Sequence, residues 1–449
     1  MGEPSRLQAI AEYTGYPVAM LLAAFGQGDL VRLDALMASF AESPRWATVR
    51  DWQPMPAGLP GRVRFFPDHR RDRWRAALHP TAPLFHAAPP ATMDLGFAAG
   101  NVPGNGLLLA LLLHVANHTI LGGSSAPPPA VLVRNSRQAP LLEPWVLTAI
   151  EQVDPELVAG ISMLVWDYDD AALQRLLLGR VDTVVATASD PVIASLDAQL
   201  QSLGRPVRFL RHGHKISFAV IGREALTGDP ALAATLAALD STFWDQYGCL
   251  SARVHFVERG GRGSPEDYAV ALAEAMGTLA HRLPRGVAPR RFLHQAYDTY
   301  KLLEADGDVR VLTHYDDDSL VVLDMRDWSA PQWRAAVNRC TGRVVVVRPV
   351  DDLGEIAPRY LRALPPANLQ SMSVAVSGER VLALAEAAGA CGVTALRSLG
   401  RAAFPQLAYS WDGLLPLDMG NNRPAGRFTT LETDDPLSEL APTLARLEL

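Results

Sequence analysis

The sequence predicts an α/β protein of two domains, and three observations carry that expectation. From about residue 130, short apolar runs alternate with helical stretches of 9 to 13 residues, the pattern of parallel βαβ units. The same alternation resumes after residue 230. The length, 449 residues of which 49% are hydrophobic and 20% charged, suits two or three cores and argues against extended disorder.

Residues 5–50 read as helical, with Leu7, Ile10, Leu33, Leu36 and Phe40 at roughly helical spacing. Eight prolines between Pro54 and Pro90 make 51–91 loop-rich. Residues 97–103 read as a strand running into a turn, and 106–117 as an apolar helix. Strand 130–133, helix 141–153, strand 161–165, helix 170–178, strand 183–186, helix 191–203 and strand 207–209 follow. Parallel sheets of this kind bind ligands at the carboxyl ends of their strands, so the first half is expected to be a Rossmann-like domain. In the second half, helices are expected at 231–238, 265–281 and 379–390, and strands at 253–258, 309–313, 320–323, 343–348 and 368–376. After Trp411 the chain is broken by Pro and Gly and ends in a helix near 439–447. The expected domains are 1–235, a cofactor-binding Rossmann-like domain with the N-terminal helical region; 236–412, an α/β catalytic domain; and 413–449, a tail packing on the body or an oligomer interface.

With 41 Lys+Arg against 48 Asp+Glu, the net charge is −7. Phosphate binding needs a basic face, so no general nucleic-acid binder is expected. No run reaches the roughly 18 apolar residues that span a bilayer, and the N-terminus lacks the charged-then-apolar order of a secretory signal. Cys249, Cys340 and Cys391 are too few and too far apart for a disulfide framework or a zinc knuckle. A soluble, cytoplasmic protein is expected, with no nucleic-acid or membrane partner.

The segment from Trp244 to Arg253 stands out, because Cys249 follows a glycine and precedes small residues and an apolar strand. Glycine admits close backbone approach, and a thiolate is a nucleophile. On those features alone, a small buried hydrophobe is the better explanation of Cys249. The second feature is Gly100-Asn101-Val102-Pro103-Gly104-Asn105-Gly106, a glycine-rich strand-to-helix turn without dinucleotide-fingerprint spacing. His114 and His118 lie four apart without a third ligand, and His314 with Asp316, Asp317 and Asp318 reads as a solvated turn, so no metal site is expected. Arg70, Arg71, Arg73 and Arg75, like Arg285, Arg290 and Arg291, form either solvated faces or contacts for CoA phosphates or an acidic carrier protein.

In their order and spacing, these segments resemble the acyl-CoA reductases of the bacterial luminescence type (LuxC-like), a branch of the aldehyde dehydrogenase superfamily, over about residues 95–420. Asn101-Val102-Pro103 is similar to the family's Asn-Phe-Pro turn, and Thr119 to Ser125 to its strand ending in Lys-Pro-Ser. Ala186-Thr187-Ala188-Ser189-Asp190 matches the nicotinamide loop, Gly213-His214-Lys215 the Gly-Gly-Lys segment, and Gln246-Tyr247-Gly248-Cys249 the nucleophile region. Cys391-Gly392-Val393 through Trp411-Asp412-Gly413 is similar to the reductase branch. The resemblance implies an aldehyde-dehydrogenase-like fold and NAD(P)H-dependent reduction of an acyl thioester to an aldehyde through an acyl-cysteine. It implies Cys249 as nucleophile, Asn101 as oxyanion donor, and His214 or His212 as proton donor or thiolate partner. Ser124, Ser125, Thr187, Ala188 and Ser189 would bind NADPH or NADH. The donor would be acyl-CoA or acyl-carrier protein, with an acyl-activating synthetase as possible partner and a homo-oligomer as the default state. Two departures matter. Arg211 stands where oxidising relatives carry the glutamate that activates water, which favours a surviving acyl group. Gly123 replaces the lysine that holds the adenosine ribose. A cysteine acyltransferase without nicotinamide and a non-catalytic acyl-binding subunit are the alternatives.

Overall fold

The computed structural model describes residues 93–99, 106, 109–110, 130–136, 143–144, 147, 151, 158–167, 170–228, 230–285, 290–403, 411–414 and 429–447. Asn101, Ser124, Ser125, His114, His118 and the Arg70 to Arg75 cluster lie outside them, as do the helical reading of 5–50 and the loop-rich reading of 51–91. The described residues up to His214, together with 411–414, form one compact unit. Residues 215–403 and 429–447 form the second.

The first unit holds an all-parallel sheet of β1 (Met93–Phe97), β2 (Ala130–Arg134), β3 (Ile161–Leu164), β4 (Thr183–Thr187) and β5 (Arg208–His212). Its order is β3-β2-β1-β4-β5. Every residue of β4 is buried, as expected of a parallel strand covered on both faces. Helix α1 (Ala171–Leu178) is capped by the Asp170 carboxylate, which accepts from Leu173 N at 3.0 Å. Helix α2 (Asp190–Gln201) starts with Pro191 in its first turn and buries Ile193, Leu196 and Leu200. These pack with Phe97, Leu132, Trp166 and Val184 in one core cluster. Strand β1 ends at Phe97, where the sequence reading begins its strand. Asp94 and Gly96 break the apolar signal there, yet Asp94 is buried. The strand order reverses between β1 and β4, so their carboxyl ends form the switch point at which such sheets take ligands.

The second unit holds eight strands: β6 (Ile216–Ile221), β7 (Ala252–Glu258), β8 (Val309–Val311), β9 (Leu320–Asp324), β10 (Val344–Val350), β11 (Leu369–Ala375), β12 (Ala395–Ser398) and β13 (Thr430–Leu431). Their order is β13-β12-β11-β6-β7-β10-β9-β8. All pairs are parallel except β8 with β9. The helices are α3 (Pro230–Thr242), α4 (Pro265–Arg282), α5 (Arg291–Glu304), α6 (Ala330–Arg339), α7 (Gly378–Cys391) and α8 (Pro436–Leu447). The units divide between His214 and Lys215, whereas the boundary expected at 235/236 falls inside α3. The difference comes from β6, a fully buried central strand that the sequence reading passes over. Helices α5 and α6 are also additions. Their polar faces mask a narrow apolar stripe, Leu293, Ala296 and Tyr300 in α5, while Ser329 and Gln332 close a capping box at the start of α6. The core is aromatic: Phe218 stacks on Trp333 at 5.9 Å, and Phe256 meets Tyr360 at 5.0 Å. No helix among the described residues is long and apolar enough to cross a membrane.

His255 on β7 ties this core together. Ser241 Oγ donates to Ala252 O at 3.0 Å and so accepts from His255 Nε2 at 2.8 Å. Tyr268 OH then donates to Nδ1 at 2.9 Å. Burial pushes the imidazole pKa down from 6.5 to about 3. The folded state therefore keeps it neutral while an unfolded chain takes up a proton near pH 6.5, so this group costs stability as pH falls from about 6.5 towards 3. His255→Gln is expected to be destabilised at pH 7 and to close much of that gap at pH 4.5, read from urea midpoints at both values. An unchanged gap would refute the coupling.

Candidate active site

Cys249 stands in the turn between α3 and β7, half-buried, whereas Cys340 and Cys391 are buried. The turn is preceded by three consecutive non-glycine residues in left-handed backbone: Trp244 (φ 56°), Asp245 (φ 49°) and Gln246 (φ 63°). Such residues carry strain of roughly 1–3 kcal/mol each and persist only when their surroundings over-determine them. Here they do. The Asp245 carboxylate accepts from Arg343 Nε at 2.6 Å, both side chains being fully buried. Gln246 Nε2 donates to Ala252 O at 3.0 Å and Val344 O at 2.9 Å, and its Oε1 accepts from Val344 N at 2.9 Å. Trp244 packs edge-on against Phe243 at 4.9 Å.

The backbone of Cys249 is fixed as well. Ser217 Oγ, on β6, donates to Cys249 O at 2.8 Å and lies 2.9 Å from Ser371 Oγ. The pairing of β6 with β7 shifts register between Ser217 and Phe218, whose partners are Ala252 and Val254, so Arg253 is the extra residue of a bulge. Bulges re-aim side chains next to sites. Burial pushes the Arg253 guanidinium pKa down, partly offset by its attraction to the thiols of Cys340 and Cys249, so this cation would favour a thiolate at Cys249. Arg253→Met is expected to slow alkylation of Cys249 by iodoacetamide several-fold at neutral pH, followed by peptide mass. An unchanged rate would remove Arg253 from the site.

The switch point of the first unit is closed by Thr187. Its hydroxyl donates to Phe97 O at 2.9 Å and accepts from Ala99 N at 3.0 Å, joining the ends of β1 and β4. Ala188 N–H donates to His212 O at 3.1 Å. Ser189 is the exposed N-cap of α2, and its side chain makes no capping bond. Asp190 holds the turn opposite: its carboxylate accepts from His214 N at 2.7 Å, and a side chain on Gly213 would run into it. The His214 side chain is exposed.

The organised histidine is His212. Its Nδ1 lies 2.6 Å from Asp412 Oδ2, both side chains being 3–4% exposed, and its ring stacks on Trp411 at 4.5 Å. Its Nε2 is buried with no hydrogen-bond partner among the described residues. Asp412 has a left-handed backbone, φ 51°, followed by Gly413 at φ 87°. A carboxylate on one imidazole nitrogen fixes the tautomer and leaves the other for proton transfer. The sequence points to His214 with His212 as the alternative, and Trp411 and Asp412 enter it only through the reductase-branch resemblance. Asp412 lies 200 positions from His212, so no local signal joins them. Arg211, in the place of the superfamily's glutamate, is exposed and pairs with Asp197 at 2.5 Å. Lys215 donates to Ala367 O at 2.8 Å.

Comparison with known proteins gives this geometry its context. A model of the family "Acyl-CoA reductase (LuxC)" matches residues 72–419, well over half of the chain. The chain belongs to the LuxC family. Two relatives of this LuxC-family chain are named long-chain acyl-protein thioester reductase. That of Photorhabdus laumondii is 25% identical over 298 residues, 65% of this chain and 54% of the relative. That of Photorhabdus luminescens is 26% identical over 303 residues, 66% and 55% of the two chains. The chain thus spans about half the length of the curated relatives it matches. Among solved structures, an indole-3-acetaldehyde dehydrogenase of P. syringae in complex with NAD+ is similar over 93% of this chain and 83% of that one, with 16% identity and TM-score 0.59. Lactaldehyde dehydrogenase of Escherichia coli is similar over 90% and 82%, with 14% identity and TM-score 0.55. The fold of this LuxC-family chain is that of the aldehyde dehydrogenases, as expected from the sequence.

Proposed function

We propose that this LuxC-family protein reduces an acyl thioester, acyl-CoA or acyl-carrier protein, to an aldehyde through an acyl group held covalently on Cys249. The observation that carries the reading is the Cys249 turn: a half-buried thiol on a strained loop locked by Asp245–Arg343 and Gln246. Strain maintained at such expense is characteristic of a reacting group's surroundings. In this reading the Cys249 thiolate adds to the thioester carbonyl. The oxyanion is met by the Cys249 N–H and, by resemblance, the Asn101 amide, donors typically worth about 3 kcal/mol each in the transition state. The carrier thiol leaves with a proton. NADPH or NADH would supply hydride to the acyl carbonyl when bound; the parallel sheet's switch point and the uncommitted Ser189 hydroxyl on the start of α2 suit a dinucleotide. Ser189 and Ala188 are the described residues assigned to hold it, and Thr187 shapes the loop between them. Arg211, engaged with Asp197, supplies no base for hydrolysis, so the acyl group survives until it is reduced.

Proton transfer is assigned to His212, oriented by Asp412. His212→Gln is expected to slow single-turnover aldehyde formation by about 10²-fold, and Asp412→Asn to slow it comparably by losing the tautomer. Rates at the wild-type level in both would return the role to His214.

The reading is tested by intact-protein mass after mixing with a panel of acyl-CoAs and acyl-carrier proteins, followed by NADPH or NADH. One acyl adduct, discharged as aldehyde by the nicotinamide, is the expected result. An adduct indifferent to nicotinamide that passes to an amine or alcohol would identify an acyltransferase, and no adduct from any donor would overturn the reading.

A further inference from the structure

Arg285 follows α4 and ends beside the loop that carries Cys249. A Cβ placed on Gly342 would lie 3.0 Å from Arg285 Nη2 and 3.8 Å from Tyr247 OH, so these two groups meet at one point. Gly342 has φ +66°, and a side chain there would be strained as well as crowded. All three guanidinium nitrogens of Arg285 are shut off from solvent, and none has a hydrogen-bond partner among the described residues.

Its charged surroundings are already engaged elsewhere. Asp245 attracts Arg285, while Arg343 and Arg290 repel it. Asp245 is bound to Arg343 at 2.6 Å, and Arg290 is bound to the Asp318 carboxylate and to the carbonyls of Asp316 and Asp317. The two carboxylates bonded in this neighbourhood, Asp245 and Asp318, are thus held by Arg343 and Arg290, and neither forms a hydrogen bond with Arg285. The adjoining residues 286–289, Gly-Val-Ala-Pro, carry no acid. Burial pushes the Arg285 pKa down, and the attraction of Asp245 does not offset it. Water could satisfy donors here but not charge.

We propose that Arg285, with Tyr247 OH beside it, receives a phosphate ester of the incoming thioester carrier. A guanidinium forks two phosphate oxygens. The inference rests on the acyl-thioester reading above. CoA and acyl-carrier protein share this chemistry, because both bear their thiol on a phosphopantetheine arm, and the shared phosphate is the group assigned. Tyr247 stands two residues before Cys249, so the site would hold the carrier close to the nucleophile.

Calorimetric titration of the full chain with 4′-phosphopantetheine and with pantetheine decides the point without requiring turnover. Wild type is expected to bind the phosphorylated compound at least about tenfold more tightly, the effect of one charge-assisted hydrogen bond. Arg285→Met should erase that preference, and Arg285→Lys should retain part of it. Gly342→Ala, which fills the space beside Nη2, should reduce it. The ratio of kcat/KM for S-acyl-4′-phosphopantetheine over S-acyl-pantetheine should fall in parallel. Equal affinities in wild type, or a preference that survives Arg285→Met, would overturn the proposal. So would a loss confined to acyl-CoA with acyl-carrier protein unaffected, which would place one of CoA's other phosphates at Arg285. Absence of aldehyde from every donor would defeat the reductase reading, while the titration still judges the phosphate site.

Discussion

Cys249→Ala is expected to eliminate the acyl adduct and to lower aldehyde formation by on the order of 10⁵-fold, the scale on which loss of an enzyme's nucleophile is felt. The variant should remain folded. The turn is held by Asp245, Gln246, Trp244 and Ser217, and shortening one half-buried side chain to alanine typically costs about 1 kcal/mol. Cys249→Ser keeps the shape and exchanges sulfur for a hydroxyl that does not ionise near neutrality, so it should fail equally. Cys340→Ala is the matched control. Its thiol is fully buried, lies 3.3 Å from Ala336 O and is pushed up to about 12 by burial, so removing it should leave adduct formation intact. An adduct on Cys249→Ala, located by peptide mass, would end the assignment.

The largest effect on stability is expected at Asp245. Removing one partner of a buried ion pair leaves the other charged and unpaired, which costs about 3–5 kcal/mol. Asp245→Ala strands Arg343, which is 1% exposed, and adds a second penalty. Alanine at φ 49° keeps the left-handed strain without the tie that balances it. Asp245→Gly should therefore be less harmful than Asp245→Ala by about 1 kcal/mol. Arg343→Met should be costly alone, and the Asp245→Ala/Arg343→Met double variant should lose less than the sum of the singles, because the interaction is removed once. Urea unfolding of the four variants reads each term; strict additivity would show that the pair is not coupled. Adduct formation at Cys249 should fall in every one of them, since the nucleophile's turn loses its anchor.

Much of this protein was legible in its sequence where structure is local. The alternation between residues 130 and 212 identified four of the five strands of the first sheet, because each is a short apolar run bounded by turn residues. Strand β1 was misplaced because Asp94 and Gly96 interrupt its apolar pattern. Strand β6, Ile216 to Ile221, is nearly all apolar but follows directly on the polar Gly213-His214-Lys215 run with no turn residue between, which hides its start, and the division between the units lies there. Cys249 was legible through its neighbours, Gly248 before and Ser251-Ala252 after. What holds it was not: Arg343 and Val344 reach the turn from 98 positions away, and no spacing rule links them. The pairing of His212 with Asp412 is hidden for the same reason.

That pairing also bears on how the chain is made. The first unit is discontinuous, interrupted after His214 by the second unit and resumed by the segment that brings Trp411 and Asp412. During synthesis its five-stranded sheet can assemble long before Asp412 leaves the ribosome, and His212 must wait for its carboxylate partner until residues 215–411 have been translated. Joining ends so far apart carries a loop-closure cost that grows only with the logarithm of length. Contacts of such sequence separation form late and slow the final stage of folding. A nascent or truncated chain would thus possess a folded sheet and an unoriented histidine. Pairing of His212 with Asp412 is thus a late event of folding, open only to a chain extended through residue 412.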